Sequence, residues 1–384
     1  MMKKAVHFGA GKIGRGFIAD LLHDSGYSIT FLDTFEPVVE ELKKNKSYPI
    51  FLIDHDYQEK DIDQVTALSS IKEPDAAVEA IADAEVITTS VMATNLPKIA
   101  PLLAKGLKRR LEKRQDRAIV MACENAILGT DILKFEVRKT GILTDIEMDA
   151  SAVWPNVAVD RMVFSGKHHG KQGIDVGDAI ELPIERNKLV DPESQPIKGA
   201  EYVDDLMKYL QRKIYVVNCG HACTGFIGYH NGCPTIQETL ARPELKEQIR
   251  NIALESAAAI EAEYGFAHDD MVRYVDSMII KRYTTPGISD PVGRVCREPL
   301  RKLSANDRLM GPAILADKHG IPTPTLLYGI ACALHYDDPD DEQTVAMQQM
   351  IDEMGIDDAL TEITGIGKGT KLHKDIVAQY HSLA

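Results

Sequence analysis

Lys4-Ala5-Val6-His7-Phe8-Gly9-Ala10-Gly11-Lys12-Ile13-Gly14 is the stretch on which the reading of this chain turns. A short apolar run ends in G-x-G-x-x-G and passes directly into the helix-compatible run Arg15 to Leu22, the strand-turn-helix context that the glycine pattern requires. Gly9 permits the tight turn, Gly11 lets the backbone approach a pyrophosphate, and Gly14 lets the helix pack closely on the sheet. Ala10, Lys12 and Ile13 complete this predicted cofactor-binding stretch. Free N–H groups and the dipole at the helix start favour the negative charge of the pyrophosphate. The next run, Ser28-Ile29-Thr30-Phe31-Leu32, ends at Asp33. It lies about twenty residues past the last glycine, where a carboxylate binds both ribose hydroxyls and repels a 2′-phosphate. The expected cofactor is therefore NAD rather than NADP.

Short strand-like runs at 3–8, 28–33, 85–91 and 118–123 alternate with helix-compatible stretches at 13–25, 35–45, 95–113 and 126–139. That order predicts a mostly parallel sheet covered by helices, an α/β Rossmann-type domain. An inserted strand pair is expected near 47–70, and an irregular β-rich segment over 160–190. Composition changes near 196, after which helices are expected at 199–212, 243–263, 268–282, 307–319, 322–336, 339–353 and 370–382. The expected division is thus a dinucleotide-binding domain over 1–195 and a mainly α-helical domain over 196–384. A chain of 384 residues is long enough for two independent cores.

The formal net charge of -14 argues against nucleic acid or an anionic membrane as partner, because both repel such a surface. A small molecule is the expected partner. The glycines of the first fourteen residues interrupt the apolar run that a signal peptide needs, so a cytoplasmic location is expected. Its six cysteines are then reduced thiols packed as small apolar residues. Residues 214–237 carry no Asp, Glu, Lys or Arg, yet their histidines, asparagines, glycines and proline make a membrane span a poor reading. A buried neutral wall of a pocket is expected instead.

Lys213-Ile214-Tyr215-Val216-Val217-Asn218-Cys219-Gly220-His221 stands at the mouth of that uncharged stretch. Removing a hydride from a secondary alcohol needs a base for the hydroxyl proton and donors for the developing alkoxide. A lysine in a dry pocket has its pKa lowered and can be that base. Asn218 can donate to the oxygen, and His221 can orient the substrate. In an α-helix Lys213 and Asn218 lie about 140° apart, whereas Asn218 and His221 share a face. Residue types alone leave a surface lysine beside a buried helix equally open.

The spacing K-x-x-x-x-N-x-x-H resembles the catalytic signature of the polyol-specific long-chain dehydrogenase/reductase family. The resemblance implies Lys213 as general base, Asn218 as an oxyanion donor and His221 as a substrate ligand. Trp154-Pro155-Asn156-Val157-Ala158-Val159-Asp160-Arg161 resembles a second signature of that family and implies Asn156 as the other oxyanion donor. The chain departs from the family pattern after Arg161, where Met162-Val163-Phe164 replaces the commoner small aliphatic and proline run. The stretches Gly9 to Gly16 and Arg297 to Leu303 look most like the branch that acts on mannitol 1-phosphate. That branch implies NAD-dependent, reversible oxidation to D-fructose 6-phosphate by a monomer that uses no metal.

Arg294, Arg297, Arg301, Lys302 and Arg308 form a basic cluster in an acidic chain. Guanidinium groups suit a phosphate because they bind it bidentately, so Arg294, Arg297, Arg301 and Lys302 are candidate phosphate ligands. A salt-bridged helix face is the equal alternative. Cys219, His221, Cys223, His230 and Cys233 match no common zinc spacing. His55, His168 and His169 read as loop residues, and Asn125, past a strand end, is a candidate nicotinamide contact. A free hexitol or hexuronate substrate, or an NAD-binding regulator without turnover, are the other readings.

Overall fold

The computed structural model describes residues 2–285 and 288–383 and divides into two compact units, one ending at Tyr209 and the other starting at Leu210. The division falls beyond 196 because the segment after it returns to the first unit as a strand. Twelve strands are described, all in that unit: β1 Lys3–Phe8, β2 Tyr27–Asp33, β3 Tyr48–Leu52, β4 Gln58–Ile62, β5 Val65–Ser69, β6 Val86–Thr89, β7 Ala118–Ala122, β8 Ala152–Val153, β9 Asp160–His168, β10 Lys171–Glu181, β11 Pro183–Glu185 and β12 Glu201–Val203.

Six strands form a parallel sheet in the order β5-β2-β1-β6-β7-β8. The order reverses between β1 and β6, and in open α/β sheets a crevice for ligands opens at the carboxyl ends of the strands at such a point. Alternation along each strand supplies both faces. From β1, Ala5 enters one core with Phe17, Ile18 and Leu22, while Val6 and Phe8 enter the other with Ala77, Ile81 and Leu103. The helices Pro74–Asp83 and Leu96–Glu112 cover the second face, each opened by a proline near its first turn, where the missing N–H leaves no bond unmade.

The sequence led us to expect one inserted strand pair near 47–70, and the structure separates three strands there. β3 and β4 pair antiparallel and join β10 and β9 in a second sheet, order β4-β3-β10-β9, while β5 completes the edge of the main sheet. The segment expected to be irregular over 160–190 is a long hairpin, broken by one change of register between Val176 and Ile180. Gly170 makes the hairpin turn with φ +78°, while Gly166, Gly173 and Gly177 lie inside its strands: a side chain on Gly173 would meet Phe51 Cε2 at 2.6 Å, so neighbouring strands occupy that space. The helix expected over 199–212 begins only at Leu206, because Glu201–Val203 pairs with β11.

The second sheet is tied to the helical segment after the glycine motif. A Cβ on Gly16 would lie 2.5 Å from Ile174 Cγ2, so only glycine allows this approach. Arg161, buried, donates to Gly16 O at 2.9 Å and to Asp20 Oδ2 at 2.5 Å. Lys60, from β4, reaches Asp20 Oδ1 at 2.7 Å.

In the second unit the helix Cys219–His230 is buried along almost its whole length. Periodicity did not mark it, because a helix that is apolar all round has no polar stripe. Pro243–Tyr264, Pro324–Leu334, Val292–Cys296 and Ile236–Ala241 pack around it. Gly225 and Gly228 allow close packing: a Cβ on the first would meet Val295 Cγ1 at 2.9 Å, and one on the second would collide with Thr239 Oγ1. The helix expected to end near 353 reaches a non-helical residue at Gly355 and then continues to Thr364. All six cysteines are buried and free. Among the described residues no helix is long and apolar enough to cross a membrane.

Breaking the Arg161–Asp20 pair leaves a charge in the interior. Arg161→Met is expected to destabilise the first unit by about 3 kcal/mol, at the low end for a broken buried pair because Lys60 still faces Asp20. Urea unfolding followed by circular dichroism checks this, and an unchanged midpoint would show that the pair is not a structural tie.

Candidate functional site

The glycine turn sits at the carboxyl end of β1. Gly9 has φ +99°, and a Cβ there would lie 2.6 Å from Ser90 O, just past β6. A Cβ on Gly14 would collide with Gly9 O and come within 2.7 Å of His7 Nε2. Gly11 differs, since a Cβ there would meet nothing within 4 Å. Packing does not require glycine at position 11, and the open space suits a backbone that a ligand approaches, so the turn fits a dinucleotide. Lys12 and Ile13 are exposed beside it, and the helix that follows opens with a π-helical turn, Gly14–Ile18.

Asp33, at the end of β2, accepts from Ala10 N–H at 2.6 Å and from Phe35 N–H at 2.9 Å. The predicted ribose carboxylate is thereby fixed against the glycine turn. Below it His7 is wholly buried, with Nδ1 2.7 Å from Thr88 Oγ1 and Nε2 2.8 Å from Ser90 Oγ. Burial pushes its pKa down to about 3, so the imidazole is neutral. Glu124, missed by the sequence reading beside Asn125, accepts from Thr89 Oγ1 at 2.6 Å and from Val91 and Met92 N–H at 2.9 Å each. It anchors the loop after β6, while Asn125 is exposed. The only signal for Glu124 in the sequence was its place past a strand end.

Asn156 is 0% exposed. Its Nδ2 donates to Glu185 Oε2 at 3.0 Å, and its Oδ1 accepts from Asp131 N–H at 3.1 Å. In this geometry the carboxamide holds the loop 154–157 to β11, with one further hydrogen on Nδ2.

In the second unit Lys213–Asn218 is a π-helical turn that leads into Cys219–His230. Its i→i+5 closure inserts one residue into the turn, which brings Asn218 to about 40° from Lys213 instead of 140°. The helix expected to present Lys213, Asn218 and His221 to one cleft opens with this π-helical turn. Tyr215, Val216 and Val217 face the core, and Lys213 and Asn218 are half-buried. Past the turn, a Cβ on Gly220 would lie 2.8 Å from Ile279, which belongs to another π-helical turn, Asp276–Lys281.

His221 stacks on Tyr283, with ring centroids 4.7 Å apart and planes 11° from parallel. Its Nε2 lies 3.0 Å from Asp290 Oδ2. Burial pulls the imidazole below its ordinary pKa, and Asp290 offsets only part of that shift. For Asp290 burial works upward, but the bonds from His221 and Arg294 prevail and hold the carboxyl at about 2. Asp290 is a site residue the sequence did not reveal, because nothing local links it to a histidine 69 positions away.

The same carboxylate changes the reading of the basic cluster. Arg294 donates through Nε and Nη2 to Asp290, both at 2.7 Å, so this edge of its guanidinium is engaged and a phosphate would meet its remaining N–H groups. Arg301 pairs with Glu298 at 2.8 Å, and Arg308 with Asp307 at 2.8 Å. Arg297 is exposed, and Lys302 is only 5% exposed. Neither has an ion-pair partner among the described residues. Burial first, then Arg308 and Arg301, pulls the Lys302 amine down to about 8. Among the described residues no group of three or more His, Cys, Asp or Glu is placed to hold a metal ion.

Comparison with known proteins supplies a family context. The mannitol dehydrogenase Rossmann domain matches residues 3–197, and the mannitol dehydrogenase C-terminal domain matches residues 205–384. The chain is 39% identical to a mannitol-1-phosphate 5-dehydrogenase of Oceanobacillus iheyensis, over 100% of this chain and 99% of that protein. It is 38% identical to one of Geobacillus stearothermophilus, over 99% of each. In fold it is similar to Pseudomonas fluorescens mannitol 2-dehydrogenase, solved as a ternary complex with NAD and D-mannitol. The TM-score is 0.70 at 16% identity, covering 100% of this chain and 92% of that one.

Neutral burial of His7 has a consequence for acid stability. The unfolded imidazole binds a proton near its ordinary 6.5, whereas the folded one resists until about 3. Folding stability is therefore expected to fall as pH drops through that window, with this residue contributing about 1.4 kcal/mol per pH unit. His7→Gln should flatten the decline in a series of urea titrations. Equal slopes for the two proteins would remove His7 as the cause.

Proposed function

The chain belongs to the mannitol dehydrogenase family, and on that basis we propose that it oxidises D-mannitol 1-phosphate reversibly to D-fructose 6-phosphate with NAD. The observation that supports the chemistry is the π-helical turn Lys213–Asn218 ahead of the helix that bears His221, since such a closure narrows the angle between amine and carboxamide. Lys213 takes the hydroxyl proton from the carbinol, Asn218 donates to the oxygen as charge develops, and His221 holds the polyol. Asn156 is the second carboxamide of the family signature. NAD, held by the turn Gly9–Gly14 and Asp33, would supply the hydride acceptor for the same carbon. Asp33 supports NAD over NADP because its carboxylate would repel a 2′-phosphate. Asn125 is proposed on the nicotinamide side.

The phosphate is assigned to Arg297 and Lys302. A buried amine whose pKa is depressed by desolvation and by neighbouring cations is stabilised by an anionic ligand. Arg301, held by Glu298, is a secondary candidate.

The deciding experiment compares fructose 6-phosphate with fructose, and NADH with NADPH, as substrates of the purified protein. The phosphorylated sugar with NADH is expected to be fastest; equal rates with plain fructose would reject the substrate. Lys213→Ala should abolish turnover in both directions. Oxidation needs the neutral amine and reduction the ammonium, so oxidation by the parent protein should rise with pH and reduction should fall. A pH-independent rate in both directions would remove Lys213 as the base.

Lys302→Met is expected to raise KM for fructose 6-phosphate roughly tenfold to a hundredfold, the scale of one lost charge-assisted hydrogen bond. KM for NADH should not move. An unchanged sugar-phosphate KM would show that Lys302 is not a phosphate ligand.

A further inference from the structure

The surroundings of His221 contain a relay that the Lys-Asn-His spacing does not include. Asp290 faces Nε2 of the imidazole at 3.0 Å, and both its oxygens receive Arg294, at 2.7 Å each. Its backbone N–H is pinned to Gln237 Oε1 at 2.8 Å, and Tyr283 lies flat against the ring. We propose that Asp290, clamped by Arg294, is a positioning residue that holds His221 as the Nε2–H tautomer, leaving Nδ1 as a bare acceptor for a substrate hydroxyl. This rests on the reading that His221 binds the polyol.

An ionised carboxylate only accepts hydrogen bonds, so the hydrogen between Asp290 and Nε2 belongs to the imidazole. Against the opposing effect of burial, the bonds from His221 and Arg294 keep that carboxylate ionised, and burial keeps the ring from taking a second proton. The charged and titratable groups facing the ring are Asp290, Arg294, Arg282 and Tyr283. Nδ1 then carries a lone pair and has no partner among the described residues, while the side chain is 22% exposed. A lone pair cannot stabilise the oxygen that becomes an alkoxide, because the two negative charges would repel. The group that Nδ1 receives is therefore a neighbouring hydroxyl that keeps its proton throughout. His221 in this state selects polyols over simple secondary alcohols, and Arg294 contributes to substrate recognition through Asp290 rather than by touching a phosphate.

Two measurements test the assignment separately. Nitrogen NMR of histidine-labelled protein at neutral pH should show His221 as the neutral Nε2–H tautomer; an imidazolium or an Nδ1–H form would overturn it without reference to activity. In kinetics, Asp290→Asn should lower kcat/KM for the sugar phosphate roughly tenfold or more and leave KM for NADH alone. Asp290→Glu should restore part of the loss. Combined with His221→Ala, Asp290→Asn should add nothing, whereas additive losses would mean that Asp290 does not act through the histidine. If His221→Ala alone leaves sugar-phosphate kinetics intact, the underlying role of His221 fails while the tautomer result still stands on its own.

Discussion

At the end of β1 the backbone closes on itself so tightly that no side chain fits: a Cβ on Gly14 would collide with the carbonyl of Gly9 and press on His7. That contact sets where the following helical segment starts and how close it lies to the sheet. Asp33 can then accept from Ala10 N–H, and Gly16 can admit Ile174 of the second sheet. Arg161 and Lys60 meet on Asp20 of the same helical segment, so the charges that tie the second sheet to the nucleotide turn depend on the same approach. A neutral His7 underneath follows as well, since a charged imidazole could not be enclosed there without a partner.

The helical unit is organised by a different constraint. Cys219–His230 has neighbours on nearly every side and uses glycines where they come closest, so its rotation about its own axis is fixed by packing. Lys213–Asn218 precedes it as a π-helical turn, and π-turns often persist where a side chain must be redirected. By helix geometry the residue inserted by such a turn narrows the angle between Lys213 and Asn218.

Charge is distributed by the same logic. In a chain with net charge -14, most cations near 294–308 are already matched by carboxylates, as Arg294 is by Asp290, Arg301 by Glu298 and Arg308 by Asp307. Of these only the Arg301–Glu298 pair is exposed on both sides, and such a pair contributes little to stability. The informative group is Lys302, buried and close to Arg308 and Arg301, because a desolvated cation without an ion-pair partner among the described residues is unfavourable until an anion arrives.

What the sequence determined by itself is what short-range geometry dictates. Gly9-x-Gly11-x-x-Gly14 between an apolar run and a helix, Asp33 at the next strand end, and the β-α alternation are all settled within a few residues of one another, so spacing alone exposes them. The Lys213, Asn218 and His221 spacing was legible too, though not the π-turn that relates them, because its insertion is a response to packing. Only the tertiary structure decided which of the strands between 47 and 70 leaves the main sheet, that Arg294 belongs to Asp290, and that Asp290 faces His221. Those outcomes join residues far apart in sequence, and their free energy comes from desolvation and close packing that exist only after the chain has folded.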